Sequence, residues 1–407
     1  MSEKVVLIAL ETPETENAEA SLDELQLLAD TAGAVSVGRM IQKREHPEPG
    51  TYFGKGKLEE LRLLLNETEA DSVIADDPLS PAQIRNLSKL FPDVKILDRT
   101  ILILDIFAQH ASTKEGALQV ELALLRYRLT QLSGIGTEMS RLGGGIGTRG
   151  PGETRLETDR RRIRERISTL KAELKDMERH RALSRNARGK SFLPVCAFVG
   201  YTNAGKSSLL KTLTDADVYT ADQLFATLDP TTRSSNLPGG ELVLFTDTVG
   251  FISKLPHELV EAFQSTLEEA KYADVILHVV DTSNPERDQQ MKTVYETLDR
   301  LGVTGKPVIT LFNKSDLPDS DPYHIDKRAD KIVNVSAKTG EGLDHFKEIL
   351  SRLLREKLNY FEKLYAFSEA GEINKIRKYG QLLEEKYTEE GIYVRAYAPE
   401  FLIQVLR

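Results

Sequence analysis

Apolar residues along this chain follow two rhythms that change from region to region. Through residues 1–105, short continuous apolar runs (Val5–Leu10, Ala34–Met40, Ser72–Ala75, Lys95–Leu97) alternate with stretches of helical apolar spacing (Leu22–Ala32, Lys57–Asn66, Pro81–Leu90). The runs read as buried strands and the spaced stretches as amphipathic helices, which predicts βαβ units and a small parallel sheet. Two long stripes follow: Leu118, Leu122, Leu125, Leu129 and Leu132, then Ile163, Ile167, Leu170, Leu174 and Met177. Each is the seam of one helix, and together they predict an antiparallel hairpin. Buried-strand runs return at Val195–Val199, Leu242–Phe245, Val308–Phe312 and Lys331–Val335, with a helix over Leu343–Lys357. The last stretch alternates at Tyr360–Phe367 and Ile392–Tyr397, with a helix expected between them and Ser368 as its N-cap.

The strand ends carry the candidate chemistry. After Val195–Val199 comes Gly200-Tyr201-Thr202-Asn203-Ala204-Gly205-Lys206-Ser207, followed by Ser208. This G-x-x-x-x-G-K-S pattern is a phosphate-binding loop opening a helix. Its glycines let backbone N–H groups turn onto phosphate oxygens, Lys206 adds charge, and the Ser207 hydroxyl suits Mg²⁺. Asp247-Thr248-Val249-Gly250 follows the next strand, where Asp247 can hold the metal through water and the Gly250 N–H can sense a γ-phosphate. Asn313-Lys314-Ser315-Asp316 follows a third strand. A buried Asp316 carboxylate would accept from guanine N1–H and the 2-amino group, a pair that adenine lacks. Ser336-Ala337-Lys338 suits a final base contact. Between the loop and Asp247, a threonine from a mobile segment should complete the Mg²⁺ shell. Thr231 is the choice, with Thr232 and Thr227 as alternatives. Four motifs in register point to GTP and GDP, with Lys206, Thr231, Gly250 and Asn203 as catalytic candidates and Ser207, Thr231 and Asp247 as metal candidates.

Phe251 stands where Ras-like GTPases carry a water-orienting glutamine, so slow intrinsic turnover and an external activator are expected. Asn203 either stabilises the loop or, as in some GTPases, helps hold K⁺ between the phosphates.

At 407 residues the chain has room for several domains. The expected architecture is α/β: an N-terminal α/β subdomain (1–111), a helical hairpin with a glycine-rich basic loop (112–188), a doubly wound P-loop GTPase domain (191–357) and a small C-terminal α+β domain (358–407). Cys196 is the one cysteine, so no internal disulfide can form, which suits the cytoplasm. No apolar run reaches the ~20 residues of a membrane span, and the N-terminus lacks signal-peptide features, though peripheral membrane contact stays open.

Charge changes the picture. The net value is −9, yet residues 141–190 hold fifteen Lys/Arg against seven Asp/Glu, a local +8 that leaves −17 elsewhere. Such a block is an electrostatic footprint for phosphate. It begins in the glycine-dense stretch from Ser133 through Arg141, Gly144, Arg149 and Gly150 to Glu153, expected to be a mobile loop. It continues with Arg155, Arg160, Arg161, Arg162, Arg164 and Arg166. A hairpin tipped by such a loop fits a nucleic-acid cavity.

The loop Arg141–Glu153 running into Thr154–Arg161, the P-loop above, Asp229-Pro230-Thr231, Asp247–Ile252, Leu255-Pro256-His257 and Thr51–Lys57 together resemble the HflX family over essentially the whole chain. That resemblance implies a GTPase of the translation-factor class that binds the large ribosomal subunit and the intact ribosome. It implies subunit splitting or rescue under stress, and rRNA contacts through Arg149, Arg155 and their neighbours. A monomer without DNA partners is expected. Some relatives act on ATP through the N-terminal domain, but no second P-loop stands there. Two other classes stay open: a GTPase of ribosome assembly or tRNA modification, and a GTP-dependent adaptor of a protein partner.

Overall fold

The computed structural model describes residues 2–13, 17–142, 151–188, 193–214, 224–225, 231–238, 240–254, 269–320, 323–356, 358–398 and 402–403. These fall into two compact units.

The first unit runs to Glu178 and also takes in Leu224, Phe225 and Lys254. Its strands β1 (Lys4–Glu11), β2 (Val35–Lys43), β3 (Ser72–Ala75) and β4 (Lys95–Asp98) form a parallel sheet in the order β2-β1-β3-β4. Helices α1 (Ala18–Thr31), α2 (Lys55–Thr68), α3 (Pro81–Leu90) and α4 (Arg99–His110) connect and cover it. Local sequence sets their starts: Asn17 caps α1 by accepting the Ala20 N–H, and Ser80 with Gln83 makes a reciprocal capping box before Pro81. Central β1 and β3 are buried on both faces, as the unbroken apolar runs require.

The hairpin is α5 (Lys114–Leu142) and α6 (Pro151–Arg188). Leu118 and Leu122 meet Leu170, with Leu125, Ile167, Leu174 and Met177 packed around them, so both stripes face each other. Arg166 clamps Glu121 across the pair at 2.7 and 2.8 Å, and Arg160 donates to the Leu132 carbonyl. The stretch Ser133–Leu142, expected as loop, is the last part of α5. Glycine in a helix costs only about 1 kcal/mol, so Gly134 and Gly136 weaken it without ending it.

At the carboxyl edge of the first sheet, between β1 and β3, lies a buried ionic cluster. Asp76 is fully buried, and Arg99 beside it is 1% exposed. Arg99 pairs with Glu24 and, at 3.3 Å, with Asp76. Ser21 donates to Asp76 at 2.7 Å. Lys254 also donates to Asp76, and reaches Asp77 at 2.7 Å. Tyr52 donates to Asp77 at 2.6 Å. Burial pushes the Asp76 carboxyl up, but Arg99, Lys254 and Ser21 more than reverse this and hold it below the usual range.

The second unit holds a six-stranded sheet in the order β10-β9-β8-β5-β7-β6. Its strands are β5 (Val195–Gly200), β6 (Thr231–Asn236), β7 (Leu242–Asp247), β8 (Val275–Asp281), β9 (Val308–Asn313) and β10 (Lys331–Asn334), all parallel except β6. Helices α7 (Lys206–Thr214), α8 (Arg287–Arg300) and α9 (Leu343–Arg355) complete a doubly wound fold. Its core joins Phe198, Phe245, Leu277, Leu311 and Phe346. Polar groups are buried with it. His278 sits on central β8, kept neutral by burial, beside Asp326, which accepts from Tyr295 and Thr310.

The C-terminal part is an antiparallel sheet, β11 (Asn359–Tyr365), β13 (Gly391–Ala398) and β12 (Gln381–Thr388), in that order, with α10 (Ala370–Tyr379). Ser368 is not an N-cap. It lies inside a 3₁₀ turn, Phe367–Glu369, whose Glu369 carboxylate accepts the Ala366 N–H. No described helix is long and apolar enough to cross a membrane.

Replacing Arg99 with Met should strip Asp76 of its buried guanidinium partner, leaving Lys254 as its remaining cation, and cost about 3–5 kcal/mol at neutral pH. In the native protein the depressed Asp76 pKa stabilises above its unfolded value, and that stability is lost as pH falls through the lower folded value. Arg99→Met should raise the folded pKa, so that the variant recovers part of its loss on going from about pH 7 to about pH 5. Urea titrations of both proteins at the two pH values measure this.

Candidate functional site

The carboxyl ends of β5, β7 and β9 converge, and their loops form the site. β5 delivers the chain into Gly200, where φ is +156° and a Cβ would lie 2.3 Å from the Val279 carbonyl oxygen. Gly205 has φ +94° and would drive a Cβ to 2.2 Å from the Asn313 amide nitrogen. Both positions therefore demand glycine. Asn203 adopts φ +58° and is exposed. Asparagine tolerates that left-handed conformation, which gives Asn203 a backbone reason to stand there.

Lys206 opens α7 and is 6% exposed. Its ammonium donates to the carbonyls of Tyr201 (2.8 Å) and Gly200 (3.2 Å), which aims it along the inside of the loop. Burial lowers its pKa to about 8, partly opposed by Asp247. Ser207 donates to Asp247 at 2.6 Å. A hydroxyl and a carboxylate so close are hard oxygen donors of the kind Mg²⁺ takes alongside phosphates. Ser208 is half-buried one residue further along α7.

Thr231, expected on a mobile segment, begins β6, directly opposite Asp247 in the antiparallel ladder. The Thr232 hydroxyl is occupied by Thr246 at 2.9 Å. Thr227 lies outside the described residues.

Gly250 packs against the phosphate loop, where a Cβ would stand 2.9 Å from both the Lys206 ammonium and the Thr202 Cα. Phe251 is 2% exposed. Its N–H donates to Gly200 and its carbonyl accepts from Thr202, so its side chain is a packing group.

Asn313 is buried and uses both ends of its amide. Nδ2 donates to the Ala204 carbonyl at 2.9 Å and Oδ1 accepts the Ala337 N–H at 2.9 Å. Lys314 has φ +65° and reaches Asp281 at 2.7 Å. Asp316 was expected to be buried. It is exposed, because the motif turns outward after Asn313, and it is aimed by Ser336, whose hydroxyl donates to it at 2.7 Å. Lys338 is exposed on the adjoining loop. Asp281 is a partner that motif reading missed. The signal was the run Val275–Val280 before it, an unmarked buried strand.

Of the basic candidates, Arg161, Arg162 and Arg164 are exposed on α6, Arg160 is turned onto Leu132, and Arg166 is paired with Glu121. Arg141 and Arg155 lie in α5 and α6 with side chains outside the described ones. Gly144, Arg149 and Gly150 lie outside the described residues.

A lysine with pKa about 8 in the free loop should be fully protonated once phosphate surrounds it. GDP binding near pH 8.5 should take up protons, and this uptake should shrink toward about pH 7. Calorimetry in buffers of different ionisation enthalpy reads the proton count directly, and an uptake independent of pH would contradict the assignment.

Residues 19–108 match the family described as GTP-binding GTPase N-terminal, residues 110–188 that described as GTP-binding GTPase Middle Region, and residues 195–314 that described as 50S ribosome-binding GTPase. A GTPase HflX of Lacrimispora saccharolytica is 57% identical over 406 residues, covering 100% of this chain and 96% of its own. Its counterpart in Caldanaerobacter subterraneus is 49% identical over 395 residues, covering 97% and 90%. That of Escherichia coli is 42% identical over 356 residues, covering 86% and 83%. The chain therefore belongs to the HflX family, and it is a GTPase.

Proposed function

We propose that this GTPase works on the bacterial ribosome, binding the large subunit and the intact particle in its GTP form, splitting or rescuing stalled ribosomes under stress, and leaving after hydrolysis. One observation carries the reading: a phosphate loop, with Asp247 and Asn313 at the neighbouring strand ends, shares a chain with a two-helix hairpin that exposes Arg161, Arg162 and Arg164. A row of arginines on a rigid helix suits phosphate forks and stacked bases of rRNA. A family profile described as ribosome-binding supports the same reading. Arg141, Arg149 and Arg155, with Gly144 and Gly150, would extend the contact, while Arg160 and Arg166 serve the hairpin itself.

Within the site, the backbone of residues 200–205 and Lys206 would cradle the phosphates, Ser207 and Asp247 with Thr231 would hold Mg²⁺, and the Gly250 N–H would meet the γ-phosphate. A metal held there would supply charge neutralisation for the phosphates. Lys314, Asp316 and the Ser336–Lys338 loop read guanine. Thr231 is preferred over Thr232 because the latter's hydroxyl is taken by Thr246. Asn203 is the candidate for a K⁺ contact; equal turnover in KCl and NaCl would remove it. Phe251 offers no group to orient water, so the ribosome supplies the missing activation. The protein acts as a cytoplasmic monomer.

Adding ribosomes should raise GTP turnover strongly, with a fall in light scattering in GTP and none in GDP. Lys206→Ala should abolish both, since the loop loses its one fixed cation. Replacing Arg161, Arg162 and Arg164 together with serine should weaken ribosome binding and flatten its salt dependence by about two to three units of log–log slope. Unchanged binding would remove the hairpin from the interface and favour a protein-adaptor role.

A further inference from the structure

Tyr201 occupies a loop position where phosphate binding asks only for a backbone, yet its ring is buried, 5% exposed. Its hydroxyl is aimed at one residue. It accepts the Ser253 N–H at 2.6 Å and shares a second hydrogen bond with the Ser253 Oγ, also at 2.6 Å. The backbone on either side is tied to the same segment. Phe251 N–H donates to Gly200 at 3.1 Å, and Thr202 N–H donates to Phe251 at 2.8 Å, a short parallel bridge between Tyr201 and Phe251. Four hydrogen bonds thus fasten residues 251–253 to the start of the phosphate loop. Gly250 lies just before the fastened segment, against Thr202 and Lys206.

We propose that Tyr201 and Ser253 are positioning residues for GTP hydrolysis. Their side-chain bond keeps the segment after Gly250 on the phosphate loop, so that the Gly250 N–H stands within reach of a γ-phosphate. The backbone bridge alone leaves this segment free to hinge at Ile252 and Ser253, whereas the phenol fixes its far end. GDP stops at the β-phosphate and is held by the loop, Lys206 and the guanine motifs, none of which needs this fastening. The tie therefore acts on GTP and not on GDP, whatever partner the GTPase serves. It rests on the assignment of Gly250 to the γ-phosphate.

Tyr201→Phe removes only the hydroxyl, and Ser253→Ala only one of its two bonds. In the full-length protein, Tyr201→Phe should lower both kcat and affinity for a non-hydrolysable GTP analogue by about fivefold, as loss of a buried hydrogen bond predicts. GDP affinity should stay at the wild-type value. Ser253→Ala should lie between, Ser253→Thr should restore activity, and the double variant should be no worse than Tyr201→Phe, since both act through one contact. Equal loss of GTP and GDP affinity with kcat unchanged at saturation would make the pair merely structural and overturn the proposal, as would no effect or an additive double variant. Gly250→Ala separates the underlying assignment. Lost GTP hydrolysis there with a silent Tyr201→Phe would sink only the tie, whereas wild-type hydrolysis in Gly250→Ala would sink the γ-phosphate assignment itself.

Discussion

The amide of Asn313 holds the nucleotide site together. The loops that must surround one GTP come from strands that are not all neighbours in the sheet. Asn313 donates to Ala204 in the phosphate loop and accepts from Ala337 in the last base-contact loop. A buried amide satisfied at both ends is costly to disturb, because any shift leaves a donor or acceptor unpaired away from water. That constraint reaches outward. Gly205 has no room for a Cβ because the Asn313 amide nitrogen is there. Lys314 is forced into a left-handed turn one residue later, and Asp281 at the end of β8 fixes its ammonium. The loops that follow β9 and β10 are thus placed by the two bonds of one amide.

Opposing demands on charge shape the rest of the site. Lys206 must be buried to stand under the phosphates, and burial weakens its hold on the proton. Asp247 partly restores it from the neighbouring strand end, while also accepting from Ser207. The same carboxylate therefore steadies the buried cation and accepts a hydroxyl from the start of α7. His278 shows the opposite solution: on the central strand it stays neutral, while Asp326 beside it is held ionised against its burial by His278 itself and by the hydroxyls of Thr310 and Tyr295.

Much of this was legible in the sequence, for a physical reason. G-x-x-x-x-G-K-S, D-x-x-G and N-K-x-D are short because each encodes a backbone shape at a strand end, and few residues can adopt it. The hairpin was legible because its stripes are long. What escaped were elements whose register depends on partners far away. β8 carries His278 in an otherwise apolar run, and β12 is an edge strand rich in Glu and Lys, a composition that suits an edge but reads as helix. Thr231 stands opposite Asp247 through a ladder between β6 and β7 that no local pattern announces. Asp316 looked buried because its chemistry asks for a dry site, yet its exposure depends on how the chain turns beyond Asn313.

Phe251 joins these strands of argument. Read as a missing glutamine, it marks an incomplete catalytic site. In place, it is a buried residue whose N–H and carbonyl both bond the phosphate loop. A glutamine there would have to leave a packed position to reach water, which sets apolar packing against catalysis at a single residue. The chain favours packing. It gains a fixed path for Gly250, and the side chain that Phe251 places there has no polar group with which to orient water.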